Sequence, residues 1–252
     1  MSPIIPGAEP YSAQGGPDGV LVLHGFTGNP QSMRPLAERF AADGHAVELP
    51  LLPGHGTALE DMIPTRWSDW SAAAEAAYLD LAGRVRLVAV AGLSMGATLA
   101  MWLTIRHPEI AGLVVVNPAI DPPAEVFREA LRGAVDAGTE VMPAIGSDIA
   151  DPDTVELAYP GTPIAAVLSM FEAQDEVAAR LSEVRCPVLI FTSSQDHVVP
   201  PVSSDVLAGG VSGSVERVSL ERSYHVATLD YDRADIERRA ADWVAKQFAA
   251  RS

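Results

Sequence analysis

The chain has 252 residues, and 48% of them are hydrophobic, which is enough apolar material for the core of one domain. Its 33 acidic residues outnumber the 17 basic ones, and a formal net charge of −16 excludes nucleic acid as an expected partner. The single cysteine, Cys186, excludes an internal disulfide, and no apolar run approaches the ~18 residues of a membrane span.

The first 117 residues alternate between short apolar runs and helical patterns. Tyr11 is expected in a short edge strand, and the apolar runs predict buried strands at 20–23, 45–49, 85–91 and 113–116. Helices are predicted over 32–42, 67–81 and 97–106. Apolar strands separated by helices indicate a parallel sheet that is covered on both faces. The predicted fold is therefore a doubly wound α/β architecture, with its site at the carboxyl ends of the strands.

The alternation stops after Asn117. Residues 118–184 are rich in proline and show helical or irregular patterns, with no convincing strand, so we interpret them as a helical cap inserted over the site. The strand pattern resumes at 187–192 and, more weakly, at 214–220, and an amphipathic helix over 233–249 ends the chain. The predicted organisation is a core of residues 1–117 and 185–252 with a cap of residues 118–184, which together form a single domain.

A Gly-x-Ser-x-Gly pattern, Gly92-Leu93-Ser94-Met95-Gly96, lies between a predicted strand and a predicted helix. This context is typical of a nucleophile elbow, in which a strained turn presents the serine hydroxyl above the edge of the sheet. The alternative interpretation is an ordinary glycine-rich turn with a capping serine.

A serine hydroxyl needs an adjacent base to become nucleophilic, and the base needs an orienting group. In this architecture the order along the chain is serine, then an acid, then histidine. Asp196 follows a predicted strand, and His225 precedes the final helix. The predicted catalytic triad is therefore Ser94, Asp196 and His225. His197 is adjacent to Asp196, so its ring should point away from that carboxylate.

The oxyanion hole of such a site needs two backbone N–H donors close to the nucleophile. Met95, which follows Ser94, is predicted to supply one of them. Phe26 is the best position for the other, because it lies in the loop His24-Gly25-Phe26-Thr27-Gly28 after the first buried strand. His24 itself is interpreted as structural.

Four stretches together resemble the bacterial thermostable monoacylglycerol lipases and their carboxylesterase relatives: residues 24–28, 92–96, 196–200 and 223–232. The resemblance covers nearly the whole chain and implies an α/β-hydrolase fold, hydrolysis of carboxylic esters, and no metal or organic cofactor. It maps the family's triad onto Ser94, Asp196 and His225, and its oxyanion donors onto Phe26 and Met95. One departure is Ala97, where many relatives have a third glycine; its methyl group is small enough for the elbow.

Two stretches of the cap, Ile145-Gly146-Ser147-Asp148 and Glu156-Leu157-Ala158-Tyr159, resemble the cap of the monoacylglycerol lipases. This resemblance implies that Glu156 binds the glycerol hydroxyls and that Ile145 lines the alcohol pocket. Without it, Glu156 and the surrounding Asp148, Asp151 and Asp153 would be assigned to a solvated acidic face, and Ile145 to packing within the cap.

Monoacylglycerol is thus the expected substrate, and three alternatives stay open: a general carboxylesterase for short-to-medium acyl esters, a catalytically silent binding protein, and an acyltransferase or thioesterase with the same triad. The N-terminus lacks the basic and apolar regions of a secretory signal, so a cytoplasmic location is expected. Apolar residues of the cap suggest transient contact with a lipid or membrane surface, while the negative charge disfavours stable binding to anionic bilayers. The expected assembly is a monomer or a homodimer.

Overall fold

The computed structural model describes residues 2–251 and has a seven-stranded sheet at its centre. From one edge of this sheet to the other, the strands are the first, third, second, fourth, fifth, eighth and ninth of the chain. Every neighbouring pair is parallel except the first and third strands, which are antiparallel. The sixth and seventh strands form a separate antiparallel pair. The strands are β1 (Tyr11–Ala13), β2 (Asp18–Leu23), β3 (Ala46–Leu49), β4 (Leu87–Leu93), β5 (Leu113–Val116), β6 (Val141–Pro143), β7 (Gly161–Pro163), β8 (Val188–Ser193) and β9 (Val215–Leu220).

Helices pack on both faces of the central sheet. The clusters of buried side chains place α3, α4 and α6 on one face, and α1 and α8 on the other. The helices are α1 (Arg34–Ala42), α2 (Leu59–Met62), α3 (Trp67–Ala82), α4 (Met95–Arg106), α5 (Glu125–Asp136), α6 (Ile164–Ala179), α7 (Val202–Gly210) and α8 (Arg233–Ala250). Short 3₁₀ turns lie at Pro30–Ser32, Leu181–Glu183 and Ala227–Leu229.

Strand β2 illustrates why the central strands are apolar throughout. Val20 and Val22 pack in the cluster that includes α1 and α8, whereas Leu21 and Leu23 pack in the cluster on the opposite face. Successive side chains of a strand point to opposite faces, so a strand covered on both sides has no position for a solvated side chain. The predicted doubly wound parallel sheet is confirmed.

The prediction that the cap contains no strand is wrong. Strands β6 and β7 pair antiparallel, with Val141 opposite Pro163. Each strand has only three residues and ends in a proline. Segments this short show no alternation of apolar and polar residues, so the pattern used to predict strands could not detect them.

The two helices of the predicted cap differ in burial. Ile164, Val167 and Phe171 of α6 belong to the same hydrophobic cluster as the side chains of α3 and α4. Helix α5, in contrast, buries only Leu131. The boundary between core and cap stays a prediction, because α6 packs as part of the main hydrophobic cluster. No helix within residues 2–251 is long and apolar enough to cross a membrane.

Candidate active site

Ser94 lies in the sharp turn between β4 and α4. Its backbone angles are φ 55° and ψ −117°, a conformation that a residue with a side chain rarely adopts. A Cβ atom at position 92 would overlap the backbone of Gly96, and one at position 96 would overlap the carbonyl of Leu23. Both glycines of the motif are therefore required by close backbone approach, and the local geometry is that of a nucleophile elbow.

His225 and Asp196 form a buried pair at the carboxyl-terminal edge of the sheet. His225 Nδ1 lies 2.8 Å from Asp196 Oδ2. The other oxygen, Asp196 Oδ1, accepts hydrogen bonds from the N–H groups of Val198 at 2.8 Å and Val199 at 2.7 Å. These bonds fix the carboxylate, which in turn orients the imidazole and leaves Nε2 as the nitrogen for proton transfer.

The loop after β2 runs directly beside the nucleophile. A Cβ atom on Gly25 would lie 3.5 Å from Ser94 Cβ. The ring of Phe26, in the same loop, packs edge-on against Trp70 with 5.5 Å between ring centroids. Met95 begins α4, where the first N–H groups have no partner within the helix. Met95 thus follows Ser94 directly, and Phe26 follows Gly25, which lies beside the Ser94 side chain.

Two buried histidines, His24 and His55, pack edge-on beside this loop, with 5.0 Å between their ring centroids. His24 Nδ1–H donates to the Gly25 carbonyl at 2.9 Å, while its Nε2 accepts the N–H of Leu52 at 3.2 Å. His55 Nδ1–H donates to the Pro53 carbonyl at 3.0 Å. Burial lowers the pKa of His24 to about 3, with a further contribution from His55, and lowers the pKa of His55 to about 4. Both rings are therefore neutral near pH 7 and act as fixed hydrogen-bonding groups.

Glu156 of the cap lies against the same loop. A Cβ atom on Gly28 would be 2.6 Å from Glu156 Oε1, so the carboxylate rests on the glycine itself. Burial raises the pKa of Glu156 to about 7, and the nearby His225 opposes that rise. The structure thus brings Glu156 to the loop of Phe26 and towards His225.

Ile145 occupies a different environment from Glu156. Its side chain is 67% exposed, so it lies on the surface of the cap. Other large apolar side chains of the cap are also exposed: Val126 (74%), Phe127 (45%) and Val155 (64%). Residues 118–184, the predicted cap, therefore expose several apolar side chains to solvent, and Ile145 is one of them.

The alternative interpretation, in which Asp148 belongs to a solvated acidic face, is wrong for this residue. Its side chain is buried and contacts both of the loops that carry Asp196 and His225. Asp148 Oδ2 accepts the N–H of His225 at 3.0 Å and the N–H of His197 at 3.2 Å. Asp148 Oδ1 lies 2.8 Å from His197 Nδ1, so the His197 ring binds Asp148 rather than the adjacent Asp196.

Sequence reasoning also overlooked Asn117, which is buried at the end of β5 with φ 45°. Its Nδ2 donates to the His225 carbonyl at 2.7 Å, and its Oδ1 accepts the N–H of Ser193 at 2.7 Å. The sequence gives one hint of this role. A polar residue directly after an apolar strand lies at the edge where the site residues gather.

The titratable side chains described around the site are His24, His55, Asp148, Glu156, Asp196, His197 and His225. Within residues 2–251, the His, Cys, Asp and Glu side chains form no group of three or more that could hold a metal ion. Instead, the carboxylates of Asp148 and Asp196 accept hydrogen bonds from backbone N–H groups and from histidine rings.

The family model described as serine aminopeptidase, S33, matches residues 17–232, a range that includes Ser94, Asp196 and His225. The chain belongs to this family of hydrolases. This hydrolase is 46% identical over 248 residues to the thermostable monoacylglycerol lipase of Bacillus sp. (strain H-257), covering 97% of each chain. It is 24% identical over 241 residues to the carboxylesterase of Bacillus subtilis (strain 168), covering 94% of this chain and 96% of that one.

Solved structures agree with the family. The hydrolase matches a chain from the work on LipS and LipT, two metagenome-derived lipolytic enzymes, with a TM-score of 0.92 and 41% identity, over 97% of this chain and 100% of that chain. It also matches the monoacylglycerol lipase of Paleococcus ferrophilus with a TM-score of 0.78 over 95% of this chain and 99% of that one. The second match, at 18% identity, shows the fold alone. The predicted α/β-hydrolase fold is confirmed.

Proposed function

We propose that this hydrolase cleaves carboxylic esters through an acyl-serine intermediate, and that monoacylglycerols are its preferred substrates. The observation that carries the proposal is the 46% identity to a monoacylglycerol lipase over 97% of the chain. The geometry supports it, because a strained Ser94 and a buried His225–Asp196 pair are the parts that ester hydrolysis by a serine enzyme requires.

In the first half of the proposed reaction, Ser94 Oγ attacks the ester carbonyl carbon while His225 Nε2 takes the hydroxyl proton. The N–H groups of Phe26 and Met95 stabilise the resulting oxyanion, and each such donor typically contributes ~10²–10³ in rate. The tetrahedral intermediate then collapses. The bond to the alcohol breaks, His225 returns the proton to the leaving oxygen, and glycerol departs from the acyl-Ser94.

In the second half, a water molecule attacks the acyl carbon and gives its proton to His225. The oxyanion forms again at the same donors, the bond to Ser94 Oγ breaks, and the proton returns to the serine. The products are the fatty acid and the free enzyme. Asp196 holds the imidazole in one tautomer and stabilises its charged form in both halves.

Glu156 is proposed to select the alcohol. Its carboxylate lies against Gly28 of the oxyanion loop and near His225, where the leaving alcohol departs. A carboxylate offers two acceptor oxygens, which suit the two free hydroxyl groups of a monoacylglycerol. The exposed Ile145 is proposed to contact the alcohol side of the substrate as it enters.

The exposed apolar side chains of the cap, Val126 and Phe127 among them, are proposed to touch a lipid surface transiently. The net charge of −16 disfavours stable binding to anionic bilayers. The cytoplasmic location and the monomeric or homodimeric state stay predictions from the sequence.

The decisive test is Ser94→Ala in purified protein, assayed on a medium-chain monoacylglycerol and on a p-nitrophenyl ester of the same acid. We expect both activities to fall at least ~10⁴-fold, since the nucleophile is removed. Turnover that survives the substitution would overturn the mechanism. Covalent labelling of the wild type by a fluorophosphonate separates an enzyme from a silent binding protein, which would not react.

The second candidate is a general carboxylesterase, favoured by the match to the Bacillus subtilis carboxylesterase. Glu156→Ala separates the two candidates. If the glycerol hydroxyls bind Glu156, monoacylglycerol turnover falls relative to p-nitrophenyl ester turnover, and an unchanged ratio favours the general esterase. Parallel assays with diacylglycerol, triacylglycerol and an acyl thioester then define the substrate class.

A further inference from the structure

The histidine loop, defined here as residues 221–226, is irregular backbone between β9 and the 3₁₀ turn at Ala227–Leu229. Strand and helix ladders therefore do not fix His225. Buried backbone N–H and C=O groups still require partners, and those partners decide where the loop lies. For the N–H and C=O groups of His225 itself, two side chains from distant parts of the chain supply them.

The core supplies the first partner. Asn117 Nδ2 donates to the carbonyl of His225 at 2.7 Å, while Asn117 Oδ1 accepts the N–H of Ser193 at 2.7 Å. Ser193 ends β8, the strand that leads to Asp196. Ser193 Oγ–H also donates to the carbonyl of Tyr224 at 2.8 Å. Asn117 thus joins the histidine loop to the strand of the catalytic acid.

The cap supplies the second partner. Asp148 Oδ2 accepts the N–H of His225 at 3.0 Å and the N–H of His197 at 3.2 Å. The backbone carbonyl of Asp148 accepts the N–H of Val226 at 3.0 Å. One buried carboxylate oxygen therefore connects the peptide of the proposed catalytic base to the residue that follows the proposed catalytic acid.

We propose that Asp148 is a positioning residue for His225, so that a side chain of the predicted cap helps to place the catalytic base. This inference rests on the proposed function. Asp148 acts through the backbone of His225 and His197, and it does not contact the scissile ester. Asp148 binds the backbone N–H of His225, and Asn117 binds its carbonyl. Together they set the distance between the histidine loop and the loop of Asp196.

Proton transfer depends on sub-ångström placement of the imidazole, and a misplacement of about 1 Å costs about 10²-fold in rate. We therefore expect Asp148→Ala to lower kcat for a soluble p-nitrophenyl ester by ~10–100-fold, with KM changed less than ~3-fold. Asp148→Asn keeps one oxygen for the two N–H donors, so it should restore kcat to within ~3-fold of the wild type.

The matched control is Asp153→Ala, which removes the same charge from an exposed position five residues along the same segment. Rates are expressed per active site titrated with a fluorophosphonate, so that an unfolded fraction does not count as lost activity. If Asp148→Ala does not fold, Asp148→Glu replaces it. That variant keeps the charge but shifts the carboxylate by one methylene group, and its kcat should fall while Asp153→Glu stays unchanged.

Three results would overturn the proposal: a kcat for Asp148→Ala within twofold of the control, a loss confined to KM, or an equal loss of kcat in Asp148→Asn. The last result would mean that the charge of Asp148 acts, rather than its hydrogen bonds. Failure of the proposed function is recognised separately. In that case the wild type neither hydrolyses the p-nitrophenyl ester nor reacts at Ser94, before any variant of Asp148 is compared.

Discussion

Two parts of the predicted cap, residues 118–184, are held to the rest of the molecule in different ways. The anchored segment, residues 147–159, is bound by hydrogen bonds that are at least partly buried: Tyr159 Oη–H donates to the Gly54 carbonyl at 2.9 Å, and Gln31 Oε1 accepts the N–H of Leu157 at 2.9 Å. Helix α5 buries one side chain, and its Ala134 and Val135 pack partly buried against the core. One ion pair joins Arg128 to Asp175 of α6, whereas the pair of Arg132 with Glu125 lies within α5 itself.

This difference separates a structural part of the site from an adaptable one. Exposed ion pairs contribute only ~0–1 kcal/mol each. Removing a partner from a buried hydrogen bond costs more, because the remaining group loses both water and its partner. We therefore expect helix α5 to shift without disturbing the proposed triad, whereas movement of the anchored segment would change the surroundings of His225 and Glu156.

The largest expected effect comes from breaking the anchored segment at Asp230. Its buried carboxylate accepts the N–H groups of Ala150 and Asp151 in that segment, and those of Tyr224 and Tyr231 in the core. Asp230→Ala leaves these donors without their acceptor and should lower the free energy of unfolding by roughly 3–5 kcal/mol.

Urea unfolding at pH 7 measures this change. Asp153→Ala serves as the exposed control and should change the free energy of unfolding by less than about 0.5 kcal/mol. A loss below about 1 kcal/mol for Asp230→Ala would mean that the segment is not anchored through this carboxylate.

The second-largest effect on stability is expected at His55. This residue follows Gly54, whose carbonyl accepts the hydrogen bond of Tyr159. The pKa of His55 is lowered from the usual 6.5 to about 4. Between these values the unfolded chain binds more protons than the folded one, so the free energy of unfolding falls as the pH falls. From pH 7 to pH 4, His55 alone should account for a loss of roughly 3 kcal/mol.

His55→Gln isolates this contribution, because glutamine does not titrate. The difference in unfolding free energy between wild type and variant should shift by that amount in favour of the variant between pH 7 and pH 4. A difference that is independent of pH would show that His55 is not held neutral by the fold.

The third effect is an increase in the free energy of unfolding when Glu156 is replaced by an uncharged residue. Its pKa is raised to about 7, so the folded chain binds more protons than the unfolded one between pH 4.5 and about 7. The free energy of unfolding therefore falls as the pH rises through this range. Glu156→Gln removes this charge and should raise the free energy of unfolding by roughly 3 kcal/mol at pH 8.

At pH 4.5 the two proteins should unfold alike, which is the internal control. The same variant is expected to lose preference for monoacylglycerol, so stability and recognition change in opposite directions. Equal free energies of unfolding for wild type and Glu156→Gln at pH 8 would show that folding does not raise the pKa of Glu156.

The smallest effect on stability is expected on helix α5. Phe127→Ser should change the free energy of unfolding by less than about 0.5 kcal/mol, because that ring is already partly exposed. Turnover of monoacylglycerol in neutral lipid vesicles should nevertheless fall by about 2–5-fold, since less apolar surface contacts the lipid.

A soluble p-nitrophenyl acetate assay should not distinguish Phe127→Ser from the wild type. Leu79→Ser is the matched control, because Leu79 is also an exposed apolar residue but lies on α3, outside the cap. Equal losses in the two variants would argue against a specific lipid contact of α5.

Prediction from the sequence was accurate where local pattern decides the structure. The elbow at Ser94 and the strands before it and before Asp196 follow from apolar runs and from glycines that backbone contacts require. Asp148 and Asn117 could not be predicted in this way. Their partners lie 77 and 108 positions further along the chain, at His225, so only the folded topology brings these groups together.

The bonds of the anchored segment bear on attempts to change substrate preference by exchanging caps between related hydrolases. A graft that replaces residues 147–159 would also replace the acceptors for the N–H groups of His225 and Val226. A graft limited to α5 would leave these acceptors in the recipient. Junctions placed on either side of α5 should therefore yield chimaeras that differ in lipid preference and retain the catalytic rate of the parent.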